Sequence, residues 1–365
     1  MENKKIPWWL PQVGSSEERR LINEVLDNNF VNEGPLATKL EEAIAKLVGA
    51  KYAVATTSCT AGIFLVLKAL GIGHGDEVLV PDMTFIATAN AVDLTGAKPV
   101  LVDIDPSTFT VSTDALIKAI TPRTKAIVPV HVTGRGADMT KILSIAKEHH
   151  LLVVEDAAEA LLSKQGAHYL GTLGAAGCFS FSPNKTITTG QGGMIVTNDP
   201  DIHVRLRMLK DQGRPVRGTG GDDRHDVVGY NFKFTDLQAA LGLGQLQKLK
   251  ERTARMKRTY TLYSENLKEV KEISIFPSKN EEIPQWTDAL VENRDALVDY
   301  LKQQNIDSRK YWFPLHQQLA YKLPDTSFPN STRLSPQALW LPSAFTLTDE
   351  DVLAVCRAAK QFFQR

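Results

Sequence analysis

The sequence predicts an α/β protein built on a mostly parallel sheet. Three observations support this class. Short segments alternate with amphipathic helical patterns from residue 52 to residue 155, these segments are apolar, and 365 residues suffice for a sizeable core. Strands that are apolar on both faces are typical of a sheet covered by helices on each side. Ligands of such sheets bind beyond the carboxyl ends of the strands, so we expect the functional site there.

The elements of the first half follow from this alternation. Ser15 is a suitable N-cap for a first helix that ends before Asn28, and a second helix covers about 36–48. The strands that follow are predicted at Tyr52–Thr56, Glu77–Val80, Pro99–Asp103, Ala126–His131 and Leu151–Glu155. Helices between them are predicted at Ala61–Leu70, Ile86–Thr95, Thr113–Ile120 and Met139–His149.

The second half begins with a hairpin over about 178–198 and ends in a smaller α+β region. A polar, glycine-rich loop is predicted at Gln212–Gly221. We expect a large domain over 1–250, with an N-terminal arm, and a small C-terminal domain over 251–365. The further elements of this half of the chain are predicted as helices at 201–211, Leu237–Leu249 and Arg294–Gln304, with helical sequence up to 268. An extended piece is predicted near Arg309–Phe313, and a last helix at Thr348–Phe363.

Composition narrows the class of function. Lysine plus arginine and aspartate plus glutamate each number 42, and this neutral balance argues against a nucleic-acid or polybasic membrane-binding role. The three cysteines lack metal-ligand spacing, so we expect no metal site and no disulfide framework. The first ten residues have no apolar signal-peptide core, and no 18-residue apolar run occurs. We therefore expect a cytoplasmic protein.

The chain is organised around Lys185. This lysine follows an aromatic segment that ends at Ser180–Phe181, and the glycine-rich turn Gly190–Gly193 comes after it. No acidic residue lies within five positions, and a lysine in such apolar surroundings can act as a reactive amine that forms a Schiff base with a carbonyl. The alternative is an ordinary solvated lysine in a loop between two strands.

Three other segments supply candidate partners. Asp156 ends an apolar strand, where it can hold a pyridine nitrogen protonated or simply cap a following helix. Thr57–Gly62 lies between a strand and a helix, where hydroxyls and free amides bind phosphate or form an ordinary cap. Phe85 follows the strand at 77–80 and can stack on a flat ring or pack in the core.

These segments, in this order, resemble the sugar-nucleotide (DegT/DnrJ/EryC/StrS-type) aminotransferase family, from about residue 7 to residue 363. The resemblance implies the fold type I of aspartate aminotransferase, with a mostly parallel seven-stranded central sheet, and pyridoxal 5′-phosphate as cofactor. The motifs that carry it are Glu155-Asp156-Ala157-Ala158-Glu159-Ala160, the run Ser180–Gly193 around Asn184-Lys185, and Gly229-Tyr230-Asn231-Phe232 with the residues up to Ala240.

The resemblance also implies a role for each matching residue. Lys185 bonds to the cofactor and moves the proton, and Asp156 pairs with the pyridine nitrogen. The other implied positions are Glu159 near the ring hydroxyl, Phe85 stacked on the ring, Cys59, Thr60 and Ser180 at the phosphate, Asn231 at the phosphate of the neighbouring subunit's cofactor, and His316 near the sugar substrate. A homodimer with shared active sites is therefore expected.

The function implied is transfer of an amino group from L-glutamate to a nucleotide-linked keto sugar. Glu159 and the run Asn184–Thr188 are most similar to the perosamine-synthase-like members, which act on a 4-keto-6-deoxyhexose for surface polysaccharide or O-antigen synthesis. Amination of a 3-keto sugar and a non-catalytic regulatory protein of the same fold are the alternatives. A sugar 3-dehydratase is disfavoured, because that enzyme has histidine in place of Lys185. The sequence does not indicate which nucleotide base the sugar substrate carries.

Overall fold

The computed structural model describes residues 4–215 and 223–365, and its largest element is a seven-stranded sheet. The strand order is β1-β9-β8-β5-β4-β2-β3, in which β9 runs antiparallel to both neighbours and the other pairs are parallel. The expected mostly parallel sheet is therefore confirmed. Its strands are Tyr52–Thr56 (β1), Glu77–Pro81 (β2), Lys98–Val102 (β3), Thr124–Ile127 (β4), Leu152–Asp156 (β5), Ala176–Ser180 (β8) and Gly193–Thr197 (β9).

Helices cover this sheet and continue into the C-terminal part. Apolar side chains from the strands and from the helix after β1 form the main buried core, as expected for strands covered on both faces. The α-helices α1 to α12 are Ser16–Asp27, Pro35–Val48, Cys59–Ala69, Ala87–Asp93, Thr113–Ala119, Met139–Glu148, Pro200–Lys210, Asp236–Leu246, Leu249–Leu267, Arg294–Gln303, Pro329–Leu334 and Asp349–Phe363. Within the described ranges, none of these helices has both the length and the apolar character needed to cross a bilayer.

A second, antiparallel sheet is formed by C-terminal residues. Its strand order is β10-β11-β13-β12. The strands are Ile273–Ile275 (β10), Asp288–Val291 (β11), Arg309–Lys310 (β12) and Ala338–Trp340 (β13), and a separate two-stranded ribbon pairs Lys164–Gln165 (β6) with His168–Tyr169 (β7).

Several expected boundaries differ from the structure, and two of the differences have an identifiable cause. The strand predicted at Ala126–His131 ends at Ile127, since Pro129 has no N–H to donate to a ladder, although its carbonyl still accepts from Asp156 N–H at 2.9 Å. The helix predicted from Ala61 begins at Cys59, because the Ser58 side chain caps it by accepting from Ala61 N–H. Of the loop predicted at Gln212–Gly221, residues from 216 onward lie outside the described residues.

Candidate active site

The carboxyl ends of three neighbouring segments surround a cavity of about 320 Å³. Asp156 is the last residue of β5, Ser180 is the last residue of β8, and Cys59 begins the helix after β1. Seven of the nine residues predicted for the site line this cavity, namely Cys59, Thr60, Phe85, Asp156, Glu159, Ser180 and Lys185. The topology of a parallel sheet accounts for this convergence, because the carboxyl ends of its strands meet at one edge.

Lys185 lies in this cavity beside a buried carboxylate. Its Nζ donates to Glu159 Oε1 at 3.0 Å, and Thr133 N–H donates to the other oxygen of that carboxylate at 2.9 Å. Burial raises the pKa of Glu159, and the nearby charge of Lys185 opposes the shift. The Lys185 side chain is only 11% exposed, so the alternative of a solvated loop lysine is wrong.

Asp156 is a second buried carboxylate, and it does not cap a helix. The residues after Ala157 form turns, and Asp156 accepts from the Thr88 hydroxyl at 2.7 Å and from Ala158 N–H at 3.1 Å. Burial raises the pKa of Asp156, and the hydrogen bond from Thr88 opposes the shift. A buried carboxyl facing a cavity is suited to a cationic partner, because such a partner compensates the charge that burial disfavours.

The N-terminus of α3 forms another part of the cavity wall. Cys59 and Thr60 belong to the first turn, whose amides have no partner within a helix and therefore suit an anion. Gly193 lets the hairpin approach this turn, because a Cβ at that position would lie 2.5 Å from Cys59 N. Phe85, at the cavity edge, is 55% exposed, which excludes core packing as its role.

One part of the cavity wall was not predicted. It consists of aromatic and cationic side chains from the second sheet and its connections, Trp286, Arg309, Trp312 and Trp340. The Lys185 ammonium nitrogen lies 4.8 Å from the centroid of the Trp286 ring. The sequence holds no local signal for this wall beyond the tryptophans themselves, because its members are scattered over more than fifty positions.

A buried polar network joins the two walls. Thr133, which has a φ of 52°, donates through its hydroxyl to Asp288 Oδ2 at 3.2 Å. Asp288 also accepts two hydrogen bonds from Arg135, at 3.1 and 2.8 Å, and one from Tyr311 at 3.1 Å. The carboxylate beside Lys185 is thus connected through Thr133 to β11 of the second sheet.

Two residues predicted for the site do not line this cavity. His316 is fully buried, with Nδ1 2.6 Å from Asp82 Oδ2 and its ring stacked on Phe328. Asn231 is exposed and forms a β-bridge with the buried Asp211. A contact between Asn231 and a cofactor would therefore have to come from another subunit.

A lysine, two buried carboxylates and a helix N-terminus at the edge of a mostly parallel sheet define an enzyme site suited to an amine and a phosphate. The chain belongs to the DegT/DnrJ/EryC1/StrS aminotransferase family, which matches residues 12–360.

Individual relatives cover nearly the whole chain. The chain is 35% identical to GDP-perosamine synthase of Escherichia coli O157:H7, over 99% of both proteins. It is 38% identical to GDP-perosamine synthase of Caulobacter vibrioides, over 94% of this chain and 95% of the relative. The solved PLP form of the Streptococcus pneumoniae protein Spr1654 aligns with a TM-score of 0.93 at 26% identity, over 99% of both chains.

Proposed function

We propose that this pyridoxal-phosphate-dependent sugar aminotransferase moves an amino group from L-glutamate to C4 of a nucleotide-linked 4-keto-6-deoxyhexose. The observation that carries the proposal is the placement of Lys185, Asp156 and the α3 N-terminus around one cavity. The GDP-perosamine synthase relatives support the choice of a sugar nucleotide and of C4.

The residues present fit the cofactor. Asp156 would provide a buried carboxyl group for the pyridine nitrogen, and the first turn of α3 with Ser180 would provide donors for the phosphate. Lys185 supplies the amine to which the aldehyde binds. Gly193 approaches Cys59 closely at the phosphate side, and Phe85, which lines the cavity, would stack on the ring.

When bound, pyridoxal phosphate supplies an aldehyde that exchanges amines and a ring that withdraws electrons from the reacting carbon. The chain contributes the acid–base steps. Lys185 Nζ would take the proton that the amino acid loses from Cα and deliver it to the former aldehyde carbon of the cofactor, as a positioned general base. Glu159, fixed by Thr133 N–H, keeps this amine oriented. Asp156 would hold a proton on the pyridine nitrogen, and that proton would stabilise the charge that develops in the ring.

The active form proposed is a homodimer with shared sites. Asn231 is exposed and lies outside its own cavity, which supports a contact with the cofactor phosphate of a second subunit. In a two-fold dimer both sites then form together. The aminated sugar would serve the synthesis of a surface polysaccharide.

A panel of substrates tests the proposal. GDP-, UDP- and dTDP-linked 4-keto-6-deoxyhexoses and 3-keto sugars are incubated with the holoenzyme and L-glutamate, and the products are analysed by mass. With the 4-keto substrates, we expect products that are heavier by about 1 Da, the difference between a ketone and an amine. Fragments of the reduced products are expected to place the nitrogen at C4. Nitrogen at C3 would contradict the substrate assignment. Failure to form any amino sugar, with no visible absorbance band that hydroxylamine removes, would favour a non-catalytic protein.

A further inference from the structure

Gln285 connects the C-terminal part of the chain to the residues on both sides of Lys185. It lies in the segment that leads into β11, and it is only 1% exposed. Its side-chain Oε1 accepts from the Thr186 hydroxyl at 2.6 Å, and its Nε2 donates to the Asn184 carbonyl at 3.3 Å. One side chain from a distant segment therefore holds the backbone neighbours of the lysine.

The orientation of the Gln285 amide follows from these two partners. A carbonyl oxygen can only accept, so the amide nitrogen must face Asn184, and the amide oxygen then faces the Thr186 hydroxyl. Within the described ranges, no other group bonds the Asn184 carbonyl or the Thr186 hydroxyl. Both contacts beside Lys185 thus depend on this one amide.

The backbone of Gln285 holds the carboxylate that pairs with Lys185. Gln285 N–H donates to the Thr133 carbonyl at 2.9 Å, and Thr133 N–H donates in turn to the Glu159 carboxylate at 2.9 Å. Thr133 has φ 52° and ψ 26°, a conformation that is rare for a β-branched residue and persists only where the surrounding contacts hold it. The two segments can approach because the next residue is Gly134, where a Cβ would overlap the carbonyl two residues before Gln285.

Other contacts keep the loop after Lys185 folded. Arg252 donates to the Thr186 carbonyl at 2.9 Å, and Gln245 Oε1 accepts from Thr188 N–H at 3.3 Å. These contacts do not involve Gln285. We therefore expect the loop to remain folded when the Gln285 amide is replaced, while the lysine loses its orientation.

We propose that Gln285 is a positioning residue that fixes the amine of Lys185 relative to the Glu159 carboxylate. The inference rests on the proposed function. The side chain of Gln285 holds both flanks of the lysine, and its N–H holds the turn that binds Glu159. The amine is thereby kept with Nζ 3.0 Å from Glu159 Oε1 and 4.8 Å from the centroid of the Trp286 ring. Small displacements of a reacting group are costly, because reaction rates depend steeply on the geometry of approach.

The rate at which Lys185 condenses with the cofactor aldehyde tests this role without turnover. In that reaction the amine nitrogen bonds to the aldehyde carbon, and one water leaves. Full-length cofactor-free protein is mixed with pyridoxal 5′-phosphate, and the absorbance band of the Schiff base is followed by stopped flow, with Lys185→Ala as the baseline. Pyridoxine 5′-phosphate has an alcohol in place of the aldehyde, so its Kd measures binding in the cavity without the covalent bond.

Variants on both sides of the contact give the expected pattern. Gln285→Met removes both side-chain bonds and should lower the condensation rate by about 10- to 100-fold. Thr186→Val removes one bond and keeps the shape of the side chain, so the rate should fall by about 3- to 10-fold. Thr186→Ser keeps the hydroxyl and should stay within about twofold of wild type. The Kd of pyridoxine 5′-phosphate should change by less than about twofold in each variant.

The double variant shows whether the two residues act through one contact. Gln285→Met combined with Thr186→Val should be no slower than Gln285→Met alone, because the hydroxyl of Thr186 has already lost its acceptor. Additive losses would overturn the assignment of this contact.

Ser163→Ala is the matched control. Ser163 is buried, and its hydroxyl oxygen accepts from Ile283 N–H at 2.9 Å, two residues before Gln285. The variant loosens the same segment without touching the neighbours of Lys185. Its melting temperature should therefore fall, while its condensation rate stays within about twofold of wild type.

The outcomes separate positioning from general support of the fold. A wild-type condensation rate in Gln285→Met would overturn the proposal, and in a protein that aminates the sugar panel it would leave the proposed function intact. An equal loss of rate and of pyridoxine 5′-phosphate affinity, or a Ser163→Ala rate as low as that of Gln285→Met, would also overturn the proposal. The expected rates in a protein that fails to aminate the sugar panel would support the positioning role while rejecting the proposed function.

Discussion

The two walls of the cavity differ in how completely their polar groups are paired. On the large-sheet wall, formed by Cys59, Asp156, Glu159 and Lys185, both carboxylates have two hydrogen-bond partners from the chain itself. On the small-sheet wall, formed by Trp286, Arg309, Trp312 and Trp340, two buried donors lack a partner within the described residues. The difference indicates that the first wall is preorganised for chemistry, whereas the second keeps buried donors that no described residue pairs.

The largest effect is expected at the centre of the large-sheet wall. Lys185→Ala should lower transamination by about 10⁴-fold, because the general base is lost. The cofactor should still bind, since the phosphate and pyridine contacts remain, and its absorbance can be followed during dialysis. Lys141→Ala, at a lysine that is 68% exposed, is the control and should be fully active. Turnover near wild type in Lys185→Ala would reject the role of this wall in catalysis.

The next largest effect is expected at Asp156. Asp156→Asn should lower kcat by about 10²- to 10³-fold, because the charge opposite the pyridine nitrogen is lost while the shape is kept. Asp138→Asn is a matched control, since Asp138 does cap a helix, α6, by accepting from Lys141 N–H at 3.1 Å. An unchanged kcat in Asp156→Asn would show that this residue has only a structural role.

The network between the walls predicts a change in stability. Asp288→Asn leaves the buried Arg135 guanidinium without its charged partner and should lower the free energy of unfolding by about 3–5 kcal/mol. The control is Asp295→Asn, which breaks an ion pair at a side chain that is 62% exposed and should cost less than about 1 kcal/mol. Urea titrations measure both variants, and equal losses would show that the walls are not joined through this pair.

A smaller effect tests whether a second subunit completes the large-sheet wall. Lys185→Ala and Asn231→Asp are each expected to be inactive, the second because it places a negative charge beside the phosphate. After subunit exchange, a heterodimer has one site with both defects and one with neither, so up to about half of the activity per exchanged dimer should return. No recovery, with heterodimers observed by native mass spectrometry, would reject the shared site.

The smallest effect is expected in cofactor-free protein. The pKa of Asp156 is raised in the folded state, so the stabilisation by its protonated form is lost as the pH rises through that pKa. Asp156→Asn should therefore raise the melting temperature by about 2 °C at pH 7.5, with little gain at pH 4. Thermal scans at both pH values measure this effect. A lower melting temperature at pH 7.5 would show that the ionised carboxylate stabilises the empty fold.

Local sequence patterns were sufficient to predict most of the helices and strands. The strand at Tyr52–Thr56 was predicted with its observed ends, and Ser15 caps α1 as expected, with its side chain accepting from Glu18 N–H. Errors occurred where one residue changes the hydrogen bonding, as at Pro129, or where a cap lies earlier than the apolar pattern, as at Ser58. The periodicity of apolar residues indicates which positions are buried, and it carries little information about where a strand's hydrogen-bond ladder or a helix ends.

The sequence by itself determined the α/β class and indicated Lys185 and the residues that share its cavity. Asp156 and Ser180 end strands and Cys59 begins a helix, and the topology of the sheet brings such ends together. Only the tertiary structure decided that Asp156 is buried rather than a cap, and that His316 binds Asp82. It alone also placed Trp286, Arg309 and Trp340 in the same cavity as Lys185. The physical reason is that these residues come from distant segments, and contacts between distant segments leave no periodic signal in the chain.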